Sequence, residues 1–496
     1  MKLNIIGDVS EYYAQTLCLL FFPGSKFSAA GEDTDGVEVT AEVTCEGGDI
    51  HSKVSIDIDG KNYSASYVLK AGTVLSRPSM ASKIALGKAF LQAGKDAVGI
   101  TPPWGILTGV RPSKLAMECL NKMSADDARS ALVSDYSTSP DKASLACDVA
   151  KREKGILDKD YSGTCSLYIA IPFCPSRCSY CSFVSFSSEG LLSLIPEYLD
   201  ALVADIRDRA GLIKSLGLSL STVYIGGGTP TVLDVRSLSR LLDAVSGSVD
   251  TSALEEFTLE AGRPDTIDKD KIAEAIRHGV SRVSVNTQTL NDSVLSAIGR
   301  RHSADDFFKA YSVVRECGVK DINVDLIAGL PGDDFPSFKN SVDKIAELSP
   351  ENVTVHTLCV KRSADLRRPD SYKPEHDIAV RSVNYSQQSL IERGYAPYYM
   401  YRQKNAVGNL ENTGYALPGH EGIYNVLMME EVQSIFAVGA SAVTKLVSPR
   451  DKENKIVRIA ENKYPYEYLR QRRSDGFAAE REAQNKTIID YFEGNK

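Results

Sequence analysis

The chain has 496 residues, 43% hydrophobic and 25% charged, with a formal net charge of −8. That length allows two or three domains with full cores, and the acidic balance argues against a general nucleic-acid binder, which would carry a basic footprint. No apolar run reaches the roughly 18 residues needed to span a bilayer. The apolar stretch Leu19 to Phe22 follows Glu11 and lacks a signal peptide's basic flank, so a cytoplasmic location is expected.

Residues 1 to about 80 read as strands. Val37, Val39, Ala41 and Val43 alternate with polar residues, as do Val54, Ile56 and Ile58, then Tyr63, Ala65 and Tyr67. Asp59-Gly60 between the last two runs is a hairpin signal. The pattern predicts a small antiparallel sheet with one wet face. From residue 81 the spacing turns helical, with Ile84, Ala85, Ala89, Phe90 and Ala93 on one face. Residues 102–114 are punctuated by glycine and proline, and Pro112 suits the first position of a helix. Trp104, the chain's one tryptophan, is expected to anchor a packed connector there rather than to meet a ligand. Residues 1–160 are thus expected to form an N-terminal α+β domain.

From 165 strands alternate with helices. Strands are predicted at 166–172, 221–226, 255–260, 281–286, 321–327 and 352–358. Between the first two lies an amphipathic face of Leu199, Leu202, Val203, Ile206, Ala210 and Ile213. Such alternation implies parallel strands with right-handed crossovers. Six units are too few to close an eight-stranded barrel, so residues 161–360 are expected to form a partial (β/α)6 TIM-type barrel. Glycines and polar residues fall where these strands end: Gly226-Gly-Gly-Thr-Pro-Thr231, Glu260, Asn286, Gln288, Asp325 and Gly329-Leu-Pro-Gly332. Ligands of parallel α/β folds bind at that end.

After 359 the repetition stops. Residues 394–425 are rich in tyrosine, asparagine and cations, including Asn405. The stretch Glu430 to Phe436 is expected to be helical, ending at a tight turn over Gly439–Ala442. The last thirty residues are highly charged and read as an exposed helix. Residues 361–496 are expected to form a C-terminal, mainly helical domain covering the substrate.

Ten cysteines are present, and seven are scattered in no disulfide pattern. Cys165 precedes the first barrel strand, which puts it at the far end of that strand. The other three, Cys174, Cys178 and Cys181, form C-x3-C-x2-C in the loop that leaves the strand's carboxyl end. Four thiolates would close an iron–sulfur cluster; three leave one iron open to a small molecule. A structural zinc would want a fourth ligand, and the loop holds none.

With Tyr180 before the third cysteine, and Gly226-Gly-Gly-Thr-Pro230, Glu260, Gln288, Arg300, Asp325 and Gly329-Leu-Pro331 following in order, the sequence resembles the radical S-adenosylmethionine (SAM) enzymes of the oxygen-independent coproporphyrinogen III oxidase superfamily. Leu107–Lys114, Tyr398–Lys404 and Asn409–Asn412 look like its HemZ branch, the coproporphyrinogen dehydrogenase type. The resemblance implies a [4Fe-4S] cluster on Cys174, Cys178 and Cys181, with SAM on the open iron. It implies that Gly227, Gly228 and Thr229 approach the methionine moiety and that Glu260 pairs with a SAM hydroxyl or ammonium. Gln288 would hold the ribose, Arg300 the carboxylate, and Asp325 a further polar contact; Arg301 is a rival for Arg300. Tyr180 would lie beside the adenine edge, and Tyr168 matches a family tyrosine near the cluster with a catalytic part. An electron donor such as flavodoxin or ferredoxin is implied as a partner.

The implied reaction converts coproporphyrinogen III propionates to vinyl groups in haem biosynthesis. Four propionates need cations and the rings need aromatic faces; Tyr399, Tyr401, Arg402 and Lys404 have those types. His420 reads either as a haem ligand or as a hydrogen-bonding loop residue. Some superfamily members carry a fourth cysteine where this chain has Phe183. Two further readings are therefore a haem-binding chaperone without decarboxylase activity and another radical SAM reaction on a tetrapyrrole, such as anaerobic haem ring opening.

Overall fold

The computed structural model describes residues 1–27, 36–183, 185–361, 364–366, 376–404, 406–447 and 456–494; Asn405 lies outside them. By contact density the described chain divides into two compact units. One comprises residues 1–152 with 400–413 and a short stretch ending at Val380; the other comprises the remainder.

In the first unit, strands β1 (Lys2–Gly7), β2 (Val37–Glu46), β3 (Asp49–Ile58) and β4 (Lys61–Leu69) form a sheet in that order. β2, β3 and β4 are antiparallel neighbours, as their alternation predicts. The sequence reading missed β1, whose alternation spans only Lys2–Ile5 and which pairs in parallel with β2. Val39, Ala41, Val54 and Ile56 pack with Ile84, Ala85, Ala89 and Phe90 of the helix Ala81–Val98 in one core. That helix stops at Gly99, whose φ of 73° suits a residue without a side chain. Trp104 is buried in this core and donates its indole N–H to Glu411 Oε2 at 2.7 Å. Pro112 opens the helix Pro112–Leu120.

The second unit carries an α/β sheet. Its strands β5 (Thr164–Ile171), β6 (Ser219–Gly227), β7 (Glu256–Glu260), β8 (Arg282–Ser284), β9 (Asp321–Ala328) and β10 (Asn352–Thr357) coincide with the six predicted runs. Each pairs in parallel with the next, which is the order of a partial barrel. Residues beyond 361 extend its edges: β11 (Ala396–Arg402), β12 (Glu411–Ala416), β13 (Ser434–Val438), β14 (Val443–Leu446) and β15 (Val457–Ala460) complete an eleven-stranded sheet, order 11-12-10-9-8-7-6-5-13-14-15. Of the described residues beyond 361, 376–380 and 400–413 fall in the first unit and the others in the second.

The helix expected over Glu430 to Phe436 is corrected. A helix spans Ile423–Glu430 and stops where Glu431 turns left-handed, φ 56°. The next apolar run is β13, wholly buried and parallel to β5. A run that short is helix or strand by periodicity alone, and pairing with β5 decides it.

Polar residues seal the amino ends of the strands. Ile423 N–H donates to Glu256 Oε2 at 2.7 Å, and Arg282 Nη2 donates to the carbonyls of His420 and Glu421 at 2.9 and 3.2 Å. His420 Nδ1 meets Asp321 Oδ1 at 2.5 Å, so this ring nitrogen belongs to the seal, not to haem ligation. The charged C-terminal helix is tied down as well. Asp205, in the helix Ile195–Ser215, is nearly inaccessible and meets Arg472, Tyr468 and Arg481. Among the described residues no helix is long and apolar enough to cross a membrane.

Candidate cluster and cofactor site

The loop after β5 carries Cys174, Cys178 and Cys181, all free. Its frame is local: Cys174 N–H donates to Phe186 O at 3.0 Å, and Cys181 N–H to Cys178 O at 3.1 Å. Burial raises the Cys174 and Cys181 thiols above the ordinary range, and the neighbouring thiols add to the rise in each. These are thus mutually interacting sulfurs in a low-polarity pocket, where a bound metal would favour the thiolate.

The glycine run after β6 packs on this loop. Gly228 N–H donates to Ile171 O at 2.8 Å, and Thr229 N–H to Phe173 O at 2.7 Å. A Cβ on Gly228 would stand 2.5 Å from Phe173 O and 3.0 Å from Cys174 Sγ, so only glycine fits. Thr229 Oγ1 lies 3.3 Å from Cys174 Sγ. Gly227, at φ 115°, turns its N–H toward Glu260 Oε2 at 3.2 Å. Glu260 also accepts from Tyr224 Oη at 2.5 Å. Tyr224 stacks with Tyr424 and Tyr168, centroids 4.5 and 6.0 Å away. That aromatic column places Tyr168 inside the barrel beside Glu260.

Asp325 is held by Asn286 Nδ2 at 2.8 Å and Asn323 Nδ2 at 3.1 Å, with His356 Nε2 at 3.7 Å. Gln288, at φ 75°, bonds through its backbone to Asp325 O at 3.0 Å, and its buried Oε1 has no partner. Arg300 is buried while Arg301 is exposed, which separates the two rivals. Arg300 donates to the carbonyls of Asn286 and Gly262, at 2.5 and 2.9 Å, faces Tyr180 and Cys178, and keeps its Nε unpartnered. Tyr224, Asn323, His356 and Arg263 were missed from the sequence. Tyr224 and Asn323 are strand-interior residues that alternation marks only as inward-facing.

Of the four residues read as a substrate lining, Arg402 is committed to other contacts. Arg402 lies in the first unit, 7% exposed, donating to the carbonyls of Leu107, Gly109 and Asn409 and stacking over Trp104. A guanidinium so engaged joins chain segments and is not available to anchor a propionate, which corrects that expectation. Lys404 Nζ meets Tyr12 Oη and lies over the Tyr12 ring. Asn412 Nδ2 donates to the backbone of Tyr401 at 3.3 Å. Tyr399 is buried, its ring so close to Gly414 that no side chain fits there.

The radical SAM superfamily model matches residues 168–345. The oxygen-independent coproporphyrinogen-III oxidase-like protein HemZ of Bacillus subtilis is 34% identical over 470 residues, covering 92% of this chain and 91% of the relative. The chain belongs to the HemZ-type branch of the radical SAM superfamily.

More distant relatives include the heme chaperone HemW of Lactococcus lactis, 30% identical over 58% of this chain and 71% of its own. The solved coproporphyrinogen III oxidase HemN of Escherichia coli shares the fold, with a TM-score of 0.50 and 24% identity over 65% of this chain and 71% of that one. The cofactors of this radical SAM chain are a [4Fe-4S] cluster and SAM. The residues present fit both. Among the described residues no three acidic, histidine or cysteine side chains converge on a single ion, whereas a cuboidal cluster takes each thiolate on a separate iron. The orphaned Gln288 Oε1 and Arg300 Nε offer a buried acceptor and donor for a polar ligand.

Glu260 gives a pH-dependent signature. Burial pushes its carboxyl from 4.5 up to about 7; the Tyr224 hydrogen bond offsets part of this and Asp325 adds to it. In the cofactor-free protein the native state then binds more protons than the unfolded chain between those values. The Glu260 contribution to stability therefore falls as pH rises from about 4.5 to about 7, by at most about 3 kcal/mol. Partial exposure of Glu260 reduces that figure. Glu260→Gln can donate to Tyr224 and accept from Gly227, as a protonated Glu would. The parent's melting temperature, taken relative to that of Glu260→Gln, should fall from about pH 5 to about pH 7; parallel curves would refute the assignment.

Proposed function

We propose that this HemZ-type protein is a radical SAM oxidoreductase acting on a tetrapyrrole, and that its reaction is the oxygen-independent oxidative decarboxylation of coproporphyrinogen III. The observation that carries the reading is 34% identity over 92% of the chain to a protein named for its likeness to coproporphyrinogen-III oxidase. Cys174, Cys178 and Cys181 would hold the cluster. Gly227, Gly228 and Thr229 would let the methionine end of SAM approach the backbone, and Arg300, whose two Nη atoms are held by backbone carbonyls, would offer its unpartnered Nε to the carboxylate. Gln288 and Asp325 would fix the ribose side, Tyr180 the adenine side, and Glu260 a hydroxyl or ammonium. When bound, the cluster and SAM supply a 5′-deoxyadenosyl radical that removes a propionate β-hydrogen. Loss of CO2 and of one electron to an external acceptor then leaves the vinyl group. Tyr168, on the barrel wall beside Tyr224, would face the reacting substrate and help to exclude water.

The reducing electron would come from a carrier such as flavodoxin or ferredoxin. A cavity of about 750 Å³ beside the cluster loop, lined by Ser176, Arg177, Arg300, Arg301 and His302 among others, supports approach from that side. The second reading, a haem chaperone, is favoured by the HemW relatives and by Phe183, 69% exposed, at the position of the fourth cysteine of other members. One anaerobic assay separates the readings. Reconstituted protein with SAM, reductant and coproporphyrinogen III should yield vinyl products and 5′-deoxyadenosine. Haem binding without turnover would favour the chaperone; 5′-deoxyadenosine formed only with haem would point to another tetrapyrrole reaction.

A further inference from the structure

Arg263 lies just past β7, three residues after Glu260. Its side chain is 3% exposed. One edge of the guanidinium meets Asp265 in a fork: Nε to Oδ1 at 3.0 Å and Nη2 to Oδ2 at 3.2 Å. The opposite corner, Nη1, donates to Ser176 Oγ at 2.9 Å and Ser176 O at 3.2 Å, and reaches Cys178 Sγ at 3.8 Å. Ser176 in turn donates to Gly299 O at 3.2 Å. A buried cation, oriented by one carboxylate, thus grips the cluster loop and aims an N–H at its middle sulfur.

We propose that Arg263 is a positioning residue that sets the reduction potential of the cluster, with Asp265 orienting it and damping its charge. The inference rests on the reading of Cys178 as a cluster ligand. Reduction adds a negative charge that spreads over the thiolate sulfurs. A hydrogen bond to sulfur and a nearby positive charge both favour that reduced state, and burial weakens the screening of each. Asp265 acts in the opposite sense, because its carboxylate cancels part of the guanidinium field. Asp265 is 25% exposed, and Asp265→Asn keeps an amide oxygen that can still accept from Arg263, so the substitution removes charge without orphaning the guanidinium.

The two residues therefore make predictions of opposite sign. In full-length protein reconstituted without SAM, an anaerobic redox titration followed by electron paramagnetic resonance reads the midpoint potential directly. Arg263→Met should move it to more negative values, Arg263→Lys by less in the same direction, and Asp265→Asn to more positive values. Lys214→Ala, at an exposed cation in the last turn of the helix Ile195–Ser215, which leads into the amino end of β6, should leave it unchanged. A merely structural part for Arg263 would loosen the loop in both variants and shift them alike. Unchanged midpoints, or shifts of the same sign in Arg263→Met and Asp265→Asn, would overturn the proposal. Should Arg263→Met fail to retain iron, the signs of Arg263→Lys and Asp265→Asn still decide. Failure of the parent chain to take up a cluster would instead strike the cysteine reading.

Discussion

Cys178→Ala should lose the cluster's visible absorbance, and reductive SAM cleavage should fall by on the order of a hundredfold or more, beyond the 10–100-fold cost of outer-shell changes at metal sites. The thiol is 8% exposed and sits between two guanidiniums, Arg263 and Arg300. Cys165, the cysteine nearest to the loop in sequence, is buried at the opposite end of β5. Removing one of three thiolates should therefore strip the site. Cys165→Ala is the matched control and should keep full iron content. Iron and sulfide analysis of both variants after reconstitution checks the assignment; an intact cluster in Cys178→Ala would refute it.

The second large effect lies far from the chemistry. Lys142 Nζ meets Glu411 Oε1 at 2.6 Å, with the two side chains 1% and 0% exposed. Burial alone would push the Glu411 carboxyl up. The Lys142 charge and hydrogen bond, with the Trp104 indole, outweigh it and hold the group below its ordinary value. Glu411→Leu would leave the Lys142 ammonium without this carboxylate and the indole N–H without its acceptor. Breaking a buried pair on one side costs about 3–5 kcal/mol, which for a chain of this length corresponds to a melting-temperature loss of about 3–5 °C. Lys142→Met with Glu411→Leu should recover much of that, because the desolvated charge disappears with its partner. Melting curves of the two variants test this, and a double variant no more stable than Glu411→Leu would count against it. The linkage sign is also set: this contribution is present above the ordinary carboxylate range and fades as pH falls through the depressed native value.

The six barrel strands, the antiparallel hairpin around Asp59-Gly60 and the amphipathic helices were legible in the sequence, because each follows from a period of two or 3.6 read over neighbouring residues. β13 was not, since a five-residue buried run has no period to read and only its parallel pairing with β5 makes it a strand. Among the candidate ligands, the strand-end polar residues could be named because unpaired carboxylates and amides do not end apolar strands without a partner. Arg402 shows the limit of that argument. Its residue type suits a propionate, yet three backbone carbonyls of the first unit take its donors.

By itself the sequence determined the family, the cofactor chemistry implied by C-x3-C-x2-C, and the strand–helix repeat, all of which are local in the chain. Tertiary structure decided which groups meet. Arg263 reaches Cys178 across 85 residues, and Trp104 reaches Glu411 across 307. No spacing rule links positions so far apart. Burial makes these contacts consequential, since a charge or polar group removed from water must find a partner wherever the fold supplies one.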